Sequence, residues 1–558
     1  MTVTARRGTE LRCRNWRAEA LLRLLENVLE VGERPEELVV YASIGKAVKD
    51  WDAYQRIVDS LHHIEEDQTL VLQTGRPVAV LNTHAAAPMV VSAVNNTVGN
   101  WATEERFYSR LAEHKTIWGG LTAAAWQYIG RQGVLGGTYE LLRAALEKHF
   151  REPSAPRRWV LTAGLGGMGS SQPISARMLE LSTLVVEADP AKLAKLEGAG
   201  GIDLVLDDLD DALATISAAT AERRPVAVGL LGNAADVFPA VAASGARPDI
   251  VTDQTAAHDA RYGYLPSGYT LESWAEARAT DPERVERDAR VSMATQVRAM
   301  LALRQRGSVV FENGNNLRVQ ASHILSEAEK QRVFAEIPGF MEGYLRPLFS
   351  RGIGPFRWMI LSGDDNDLSV VDDLAATMFP ERPEIARWIG LARRHIPAQG
   401  LPARSCWLGY GERSALALAV NEAVTDGRIS APVAFSRDHL DAAGMTHPRI
   451  GTEGMRDDSD GVTDWPILDA MLLASGGADL VAVHSGGGGY SGWMQSAGVT
   501  VVADGTGAAA TRIRQALDLD SGLGVVRHAT AGYEDALDAV QRSHEPGAHG
   551  APLNLIRN

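Results

Sequence analysis

Several features are scarce in this sequence, and each scarcity excludes a class of protein. Only two cysteines, Cys13 and Cys406, occur among 558 residues, so we expect neither a disulfide framework nor a cysteine-based zinc site, and we predict no metal. No apolar run approaches the roughly 20 residues that span a bilayer. The basic N-terminal segment lacks the apolar stretch of a secretory signal. We therefore expect a cytoplasmic protein without a membrane partner.

Positive charge is also in short supply. Lys and Arg total 55 against 70 Asp and Glu, which gives a formal net charge of -15. Sequence-independent binding to nucleic acid relies on neutralising phosphates, so no nucleic-acid partner is expected. An anionic small molecule is still compatible with this balance, because a local arginine cluster can oppose the overall field.

The length and the order of the apolar segments predict several domains of the α/β class. A chain of 558 residues exceeds what one hydrophobic core normally serves. In the middle of the chain, apolar runs of about five residues alternate with helical patterns, which is typical of a parallel, doubly wound sheet. We predict a Rossmann-like nucleotide-binding domain at 136–346, inserted between an N-terminal part (1–135) and a C-terminal part (347–558) of a core domain.

Individual elements are predicted from the same periodicities. An amphipathic helix is expected over Trp16–Val31 and another over Gln172–Leu181, and the last residues, 544–558, are expected to be mobile. Strands are predicted at Glu37–Tyr41, Thr69–Gln73, Trp159–Ala163, Thr183–Glu187, Ile202–Leu206, Val226–Leu231, Asp249–Thr252, Trp358–Leu361, Val433–Phe435 and Asp479–His484.

A glycine-rich loop directly after one of these strands predicts a dinucleotide site. Gly164-Leu165-Gly166-Gly167-Met168-Gly169 matches G-x-G-x-x-G between a strand and a helix, where the backbone can approach a pyrophosphate at a helix N-terminus. Glu187 ends the next strand, where a carboxylate accepts hydrogen bonds from ribose hydroxyls and repels a 2′-phosphate. The pattern therefore favours NAD over NADP, whereas a bare hexapeptide match would also fit a glycine turn without a ligand.

Several further loops carry polar groups without secondary-structure periodicity, and together they resemble the urocanases, hydratases of histidine breakdown. The resemblance runs in the same order and with nearly the same spacing from about Arg14 to the final fifteen residues. The segments that carry it are Gly232–Ala235, Asp253–Asp259, Tyr264–Pro266, Asn313–Asn316, Arg351–Trp358, Arg404–Gly409, Arg437–Asp441 and His484–Gly489.

The resemblance implies a tightly bound NAD⁺ that acts as an electrophile. In that family the substrate imidazole forms a reversible covalent adduct with the nicotinamide, and water adds to the acrylate side chain with no net redox change. It also implies a homodimer. The residues expected to contact NAD⁺ are Gly164, Gly166, Gly167, Met168, Gly169, Glu187, Asn233, Ala234, Gln254, Thr255, Ala256, Ala257, His258, Tyr264, Leu265 and Gly488.

Carried over by position, the resemblance also designates candidate catalytic residues. Cys406 matches the active-site cysteine of the family, although a free cysteine is often only a small buried apolar residue. Asp438, His439 and Asp441 are candidate proton donors for the hydration, and each of them could instead cap a helix or support a neighbour. Tyr41 is expected to place a phenol at the substrate.

Other residues are candidates for binding the substrate. Arg357 and Arg346 are expected to hold its carboxylate, because a guanidinium binds a carboxylate in a bidentate fork that lysine cannot reproduce; a structural ion pair is the alternative for each. The remaining candidates for the substrate pocket are His84, His484, Gly120, Asn313 and Arg449.

Some of these loops depart from the urocanase pattern, and the departures predict an altered substrate. Gly120 replaces the usual glutamine, Asn313 the usual tyrosine, and Ser485 the second of two histidines; Ala42-Ser43, Ile450 and Met494-Gln495-Ser496 are further departures. The loss of polar side chains should weaken binding of plain urocanate and admit a bulkier ring. We therefore expect a ring-modified urocanate, either thiourocanate, which derives from ergothioneine, or its S-methyl form.

Three alternatives stay open at this point. The first is an ordinary urocanate hydratase in which the departures are neutral. The second is an NAD-linked dehydrogenase, which would release NADH. The third is an inactive NAD-binding or regulatory protein, which the retention of Cys406, Arg357 and the Asp-His loop disfavours.

Overall fold

The computed structural model describes residues 3–41, 44–130, 132–150, 158–396, 399–441, 444–449 and 451–556. Three of the predicted departures, Ala42, Ser43 and Ile450, lie outside these described residues. The chain divides into two compact units. The first, here called the core unit, comprises Met1–Gly133, Arg346–Pro448 and Gly454–Asn558; the second, the nucleotide unit, comprises Val134–Leu345 and Arg449–Glu453.

The strands, numbered in chain order, are β1 Val39–Tyr41, β2 Gly45–Lys46, β3 Gln68–Gln73, β4 Arg76–Asn82, β5 Val90–Val94, β6 Trp159–Ala163, β7 Ser182–Glu187, β8 Leu204–Leu206, β9 Ala227–Leu231, β10 Ile250–Val251, β11 Val309–Val310, β12 Gly354–Ile360, β13 Ala403–Leu408, β14 Val433–Arg437, β15 Met445–Thr446, β16 Leu480–His484 and β17 Gln495–Ala503.

The α-helices are α1 Trp16–Glu30, α2 Trp51–His63, α3 Glu104–Ala112, α4 Gln132–His149, α5 Ser171–Met178, α6 Pro190–Gly198, α7 Leu209–Ala221, α8 Ala234–Ser244, α9 Leu271–Thr280, α10 Pro282–Gln305, α11 Leu317–Ser322, α12 Glu327–Glu336, α13 Arg346–Phe349, α14 Asp365–Met378, α15 Pro383–His395, α16 Glu412–Thr425, α17 Asp464–Ser475, α18 Gly507–Thr530 and α19 Glu534–Arg542. Among the described helices, none combines the length and apolarity needed to cross a bilayer.

A mixed sheet of nine strands organises the core unit. Its order is β13-β12-β14-β17-β16-β5-β3-β4, with β15 beside β17. One face packs in a single apolar cluster with α1, which begins where Asn15 Oδ1 accepts a hydrogen bond from the amide of Ala18. Burial of each large apolar side chain in such a cluster contributes about 1.5–3 kcal/mol. Because side chains alternate along a strand, the residues that face α1 are fixed by register.

The nucleotide unit contains a six-stranded parallel sheet in the order β11-β10-β6-β7-β9-β8. All described pairings in this sheet are parallel, and its strands are nearly continuous apolar runs because helices cover a parallel sheet on both faces. The reversal of strand order between β6 and β10 places the glycine loop after β6 at the carboxyl edge, where ligands bind in such folds. The prediction of a Rossmann-like α/β region is confirmed by this topology.

Some predicted elements are wrong in their bounds, for local reasons. The first strand starts at Val39, because Pro35–Glu37 forms a 3-10 turn and Leu38 adopts a left-handed backbone with φ of 62°. The helix expected to reach Leu181 ends at Met178, before Glu180 at φ 60°. The segment expected to be a loop before Trp358 already belongs to strand β12.

The C-terminal residues, predicted to be mobile, contact the preceding helix in their described part. Leu553 packs against the apolar cluster that contains Tyr533, and its amide donates a hydrogen bond of 2.9 Å to Ser543 Oγ. The tail is therefore held to α19 by both an apolar contact and a backbone hydrogen bond.

Candidate active site

The glycine loop of the nucleotide unit is shaped by close backbone contacts. A Cβ atom on Gly164, whose φ is 88°, would overlap the backbone of Gln254, and a Cβ on Gly169 would overlap the carbonyl of Gly164. Gly166 differs, because a Cβ there would meet no atom within 4 Å. Glycine is thus required for packing at two positions, while the third leaves an open cradle in which backbone amides can approach a phosphate.

Glu187 braces this loop from the end of β7. Its Oε2 accepts a hydrogen bond of 2.7 Å from the amide of Leu165, and its Oε1 accepts one of 2.9 Å from the amide of Asp189. A carboxylate offers about four lone-pair sites, so two remain for ribose hydroxyls. The donor set and the open cradle fit a dinucleotide.

A second loop, residues 253–258, is anchored by a buried carboxylate. Asp253 accepts hydrogen bonds from Thr255 Oγ1 at 2.6 Å, from Gln296 Nε2 at 2.8 Å and from Asn315 Nδ2. Burial raises the pKa of Asp253 to about 6, against the effect of these donors. This arrangement holds the Gln254–His258 segment beside the glycine loop, where Gln254 Nε2 also donates to the carbonyl of Asn313 at 2.6 Å.

The remaining predicted nucleotide residues organise neighbouring loops of the same unit. Asn233 caps α8 by accepting from the amide of Ala235, and its Nδ2 donates to the carbonyl of Leu265 at 3.0 Å. Tyr264 is buried and donates to Gln296 Oε1 at 2.9 Å. Ala234 is the first residue of α8, and Gly167, Met168, Ala256 and Ala257 lie in the two loops already described.

In the core unit, a row of polar side chains crosses four strands on the sheet face that packs with α1. Arg357 in β12 is in register with Ser405 in β13 and with Ser436 in β14, and Ser436 is in register with Thr500 in β17. Residues opposite each other in an antiparallel pair share one face. The apolar face therefore ends in a polar region.

Arg357 is the centre of this polar region. Its guanidinium donates to the carbonyl of Gln127 at 2.9 Å and forms an ion pair with the carboxylate of Asp438. Arg357 is fully buried, whereas the Asp438 side chain keeps about 16% of its surface exposed. The arginine therefore holds a partly accessible carboxylate in place, while its own Nε makes no hydrogen bond within the described residues.

Two buried histidines lie next to this ion pair. His439 Nδ1 is hydrogen-bonded to His484 Nε2, and His439 Nε2 lies 2.8 Å from Gln127 Oε1. Burial, and to a lesser extent Arg437, lower the pKa of His484 to about 4, against the opposing effect of the Leu121 backbone. Burial, His484, Arg437 and Arg357 together hold the pKa of His439 well below its ordinary value. Both rings are therefore neutral at pH 7.

Tyr41 lies beside the same region with its phenol oxygen directed at a turn. The backbone amides of Leu121 and Thr122 donate to that oxygen at 2.8 and 3.0 Å. Burial raises the pKa of Tyr41, so the phenol keeps its proton. Because its lone pairs are engaged, its O–H remains available as a donor. A Cβ on Gly120, at φ 58°, would lie 3.2 Å from this oxygen, so a larger residue at position 120 would contact the phenol closely.

The run of glycines after β16 packs against an indole. A Cβ on Gly488, at φ 51°, would overlap the ring of Trp118, and one on Gly487 would lie 2.8 Å from Phe107. These glycines are required so that the backbone can lie flat on aromatic rings in the core unit.

Two predicted catalytic residues are not in this cluster. Cys406 is in register with Phe356 and lies beside Ser405 in β13, so strand alternation turns its buried side chain to the opposite face of the sheet from Arg357. Asp441 forms an ion pair with Arg413 in the buried network that includes Asp520. Of the five candidate catalytic residues, Asp438, His439 and Tyr41 therefore lie together, and Cys406 and Asp441 lie apart from them.

Two predicted substrate residues of the core unit, Arg346 and His84, also lie outside this cluster. The guanidinium of Arg346 stacks 4.9 Å from the ring centre of Tyr533. His84 lies on an exposed loop. Arg17 donates to the carbonyls of Ala85 and Ala87 in this loop and also forms a hydrogen bond with Asp479, the residue before β16. That loop is at the start of β16, roughly 16 Å in strand length from His484 at its end. Asn313 and Arg449 belong to the nucleotide unit.

The structure also places in the cluster a residue that the sequence did not indicate. Gln127 is fully buried and contacts both Arg357 and His439. It stands in the run Ala124-Ala125-Trp126-Gln127-Tyr128, where the one signal was a polar residue flanked by aromatic residues.

Comparison with known proteins agrees with this arrangement along the whole chain. The urocanase N-terminal domain matches residues 3–127, the urocanase Rossmann-like domain residues 130–344, and the urocanase C-terminal domain residues 347–542. S-methyl thiourocanate hydratase from Variovorax sp. (strain JCM 16519 / RA8) is 49% identical over 534 residues, which cover 96% of this chain and 95% of that protein.

Fold and site together define an α/β protein with a Rossmann-like unit and a buried arginine–histidine–tyrosine cluster. The domain matches and the relative assign this protein more closely: it belongs to the urocanase family. The predicted family and its class, the hydro-lyases, are thereby confirmed.

Proposed function

We propose that this protein is a hydratase that adds water to the acrylate side chain of a ring-modified urocanate, either thiourocanate or S-methyl thiourocanate. The relative with 49% identity is named for the S-methyl compound. The observation that carries the proposal is the position of Gly120, where a Cβ atom would lie 3.2 Å from the phenol oxygen of Tyr41. We infer that the ring substituent lies on the side of the hydroxyl that a larger residue at position 120 would fill, and that plain urocanate leaves part of it unfilled, which forfeits dispersion contacts.

We further propose that the nucleotide unit binds NAD⁺. The open cradle at Gly166, the remaining acceptor sites of Glu187 and the anchored 253–258 loop fit a dinucleotide. Bound NAD⁺ would supply an electrophilic ring carbon that withdraws electrons from the substrate imidazole. A cytoplasmic homodimer is part of the proposal, on the scarcity of cysteine and the family resemblance respectively.

The residues of the core unit supply proton transfer and orientation. Hydration breaks one O–H bond of water and the π bond of a carbon–carbon double bond in the substrate, forms one C–O bond and one C–H bond, and changes no oxidation state overall. Asp438, paired with Arg357, orients the water. The phenol oxygen of Tyr41 accepts hydrogen bonds from the amides of Leu121 and Thr122, so its O–H can donate one, and the pair His439–His484 can accept the proton that water releases.

The experiment is incubation of the purified protein with S-methyl thiourocanate while the acrylate ultraviolet absorbance is followed. We expect the absorbance to fall, the product mass to rise by one water, and no NADH to accumulate. Accumulation of NADH with an oxidised product would instead indicate a dehydrogenase and overturn the proposal. Analysis of the denatured protein by mass spectrometry should find NAD in its oxidised form.

A further inference from the structure

The side chain of Gln127 has a fixed orientation in the core unit. Its Nε2 donates to the carbonyl of Val499 at 2.7 Å and to Thr500 Oγ1 at 2.9 Å. A backbone carbonyl only accepts hydrogen bonds, so the NH₂ group must face Val499 and the amide oxygen must face His439. Strand β17 therefore decides which end of the amide meets the histidine.

This orientation sets the tautomers of both histidines. The amide oxygen is an acceptor, so His439 Nε2, at 2.8 Å, carries the hydrogen. A neutral imidazole carries one N–H, so His439 Nδ1 is a lone pair that accepts from His484 Nε2–H. The hydrogen of His484 is then on Nε2, and its Nδ1 has none.

The end of this hydrogen-bond chain at His484 Nδ1 can take one more proton. His484 Nδ1 makes no hydrogen bond of ordinary geometry within the described residues, yet the carbonyl of Leu121 lies close enough to raise the pKa of the ring. Leu121 and Gln127 thus offer acceptors at both ends of a two-ring chain. The hydrogen-bond chain has three contacts, Leu121–His484, His484–His439 and His439–Gln127, but two neutral rings carry only two N–H hydrogens. A third hydrogen, on His484 Nδ1, would give each contact a donor.

We propose that Gln127 is a positioning residue that makes the His439–His484 pair a directed proton relay, with Nδ1 of His484 as the accepting atom. Its use in hydration rests on the proposed function. Water loses a proton from its O–H bond to His484 Nδ1, and the same nitrogen returns a proton to carbon when the C–H bond forms, while Asp438 only orients the water. The pair gains and loses that proton without either ring turning.

The charges around the pair favour rapid release of the extra proton. Arg437 and Arg357 both face it, and each disfavours a second positive charge. The carboxylate of Asp438 is already paired with Arg357. The pair must be neutral to accept a proton, so activity should fall as the pH falls and the pair becomes protonated. Gln127 therefore also affects the acidic limb of the pH–rate profile.

The direct test is ¹⁵N solid-state NMR of protein labelled at the histidine ring nitrogens, with the two rings assigned by comparison with His439→Asn and His484→Asn. At neutral pH we expect both Nε2 atoms to be protonated and both Nδ1 atoms to be bare. A proton on Nδ1 of either ring in the wild-type protein would overturn the proposal, whether or not any variant folds.

Two variants test the role of Gln127 itself. Gln127→Met keeps similar length but removes the amide, so the chain should reverse: His439 Nδ1–H donates to His484, and His484 Nδ1–H donates to Leu121. Thr500→Val is the matched control, because the Val499 carbonyl still fixes the amide, and wild-type tautomers are expected. Wild-type tautomers in Gln127→Met, or reversed ones in Thr500→Val, would contradict the assignment.

Kinetics with S-methyl thiourocanate then connect the relay to the reaction. In Gln127→Met we expect kcat to fall at least about tenfold, with a smaller change in KM and an altered acidic limb of the pH profile. Reversed tautomers with unchanged kcat would show that the relay takes no part in hydration. If the wild-type enzyme hydrates none of these substrates, the proposed function fails, and the NMR result still decides the tautomers.

Discussion

The phenol oxygen of Tyr41 lies 3.2 Å from the point that a Cβ atom on Gly120 would occupy. A side chain at position 120 would therefore contact the hydroxyl of this phenol closely. The same glycine is at φ 58°, which L-residues disfavour by roughly 1–2 kcal/mol. Gly120 thus affects both the substrate specificity and the backbone geometry of this turn.

Gly120→Gln should change substrate preference. We expect kcat/KM for S-methyl thiourocanate to fall at least about tenfold more than kcat/KM for urocanate, equivalent to about 1.4 kcal/mol. Gly120→Ala has the same backbone strain with little bulk, so its preference should shift less. Equal losses for both substrates in Gly120→Gln would show that position 120 does not sense the ring substituent.

Arg357→Lys should act on turnover more than on binding. Lysine cannot serve both the Gln127 carbonyl and Asp438 as the guanidinium does, so the Asp438 carboxylate would lose its position. We expect kcat to fall by at least about tenfold with KM within about threefold. Arg404→Lys, at a buried arginine paired with Asp372, controls for the loss of a buried ion pair. A rise in KM alone would indicate that Arg357 binds the substrate carboxylate directly.

Gly166→Val should separate nucleotide binding from folding. The position has open space for a side chain, so the variant should fold with a melting temperature close to that of wild-type protein stripped of nucleotide, while bound NAD falls sharply. Gly169→Ala provides the contrast, because its Cβ would overlap the carbonyl of Gly164 and the loop itself should be destabilised. Full NAD occupancy in Gly166→Val would show that the open space at Gly166 is not needed for nucleotide binding.

Cys406→Ala should be mild in its kinetics. The thiol is buried on the sheet face opposite Arg357, so its loss leaves a small cavity and does not touch the cluster. We expect kcat within about threefold of wild type, equivalent to about 0.7 kcal/mol, with a lower melting temperature. A large fall in kcat at unchanged melting temperature would restore the direct catalytic role that the family resemblance implies.

The nucleotide unit could be predicted from sequence because its signals are local. Trp159–Ala163 is a continuous apolar run and the glycine loop follows it directly, so strand, turn and ligand chemistry all stand within a few residues. Glu187 was predicted from its distance to the loop. Its hydrogen bond to Leu165 was not, because that contact requires two strands to be adjacent.

The cluster of the core unit was predictable only in part, because strand register decides it. Asp438 and His439 were singled out by a motif, yet their neighbour Asp441 joins a different ion network. A shift of one residue separates Ser405, on the face of Arg357, from Cys406 on the other. Gln127 stands in no motif, and its importance depends on contacts with β17 and the Asp-His loop, hundreds of residues away.

The measurement that bears most directly on the proposed function is kcat/KM for urocanate, thiourocanate and S-methyl thiourocanate under one set of conditions. The account predicts that a sulfur-bearing substrate is preferred over urocanate by at least about tenfold, equivalent to about 1.4 kcal/mol. A tenfold preference for plain urocanate would contradict it, because glycine at position 120 would then not select for a ring substituent.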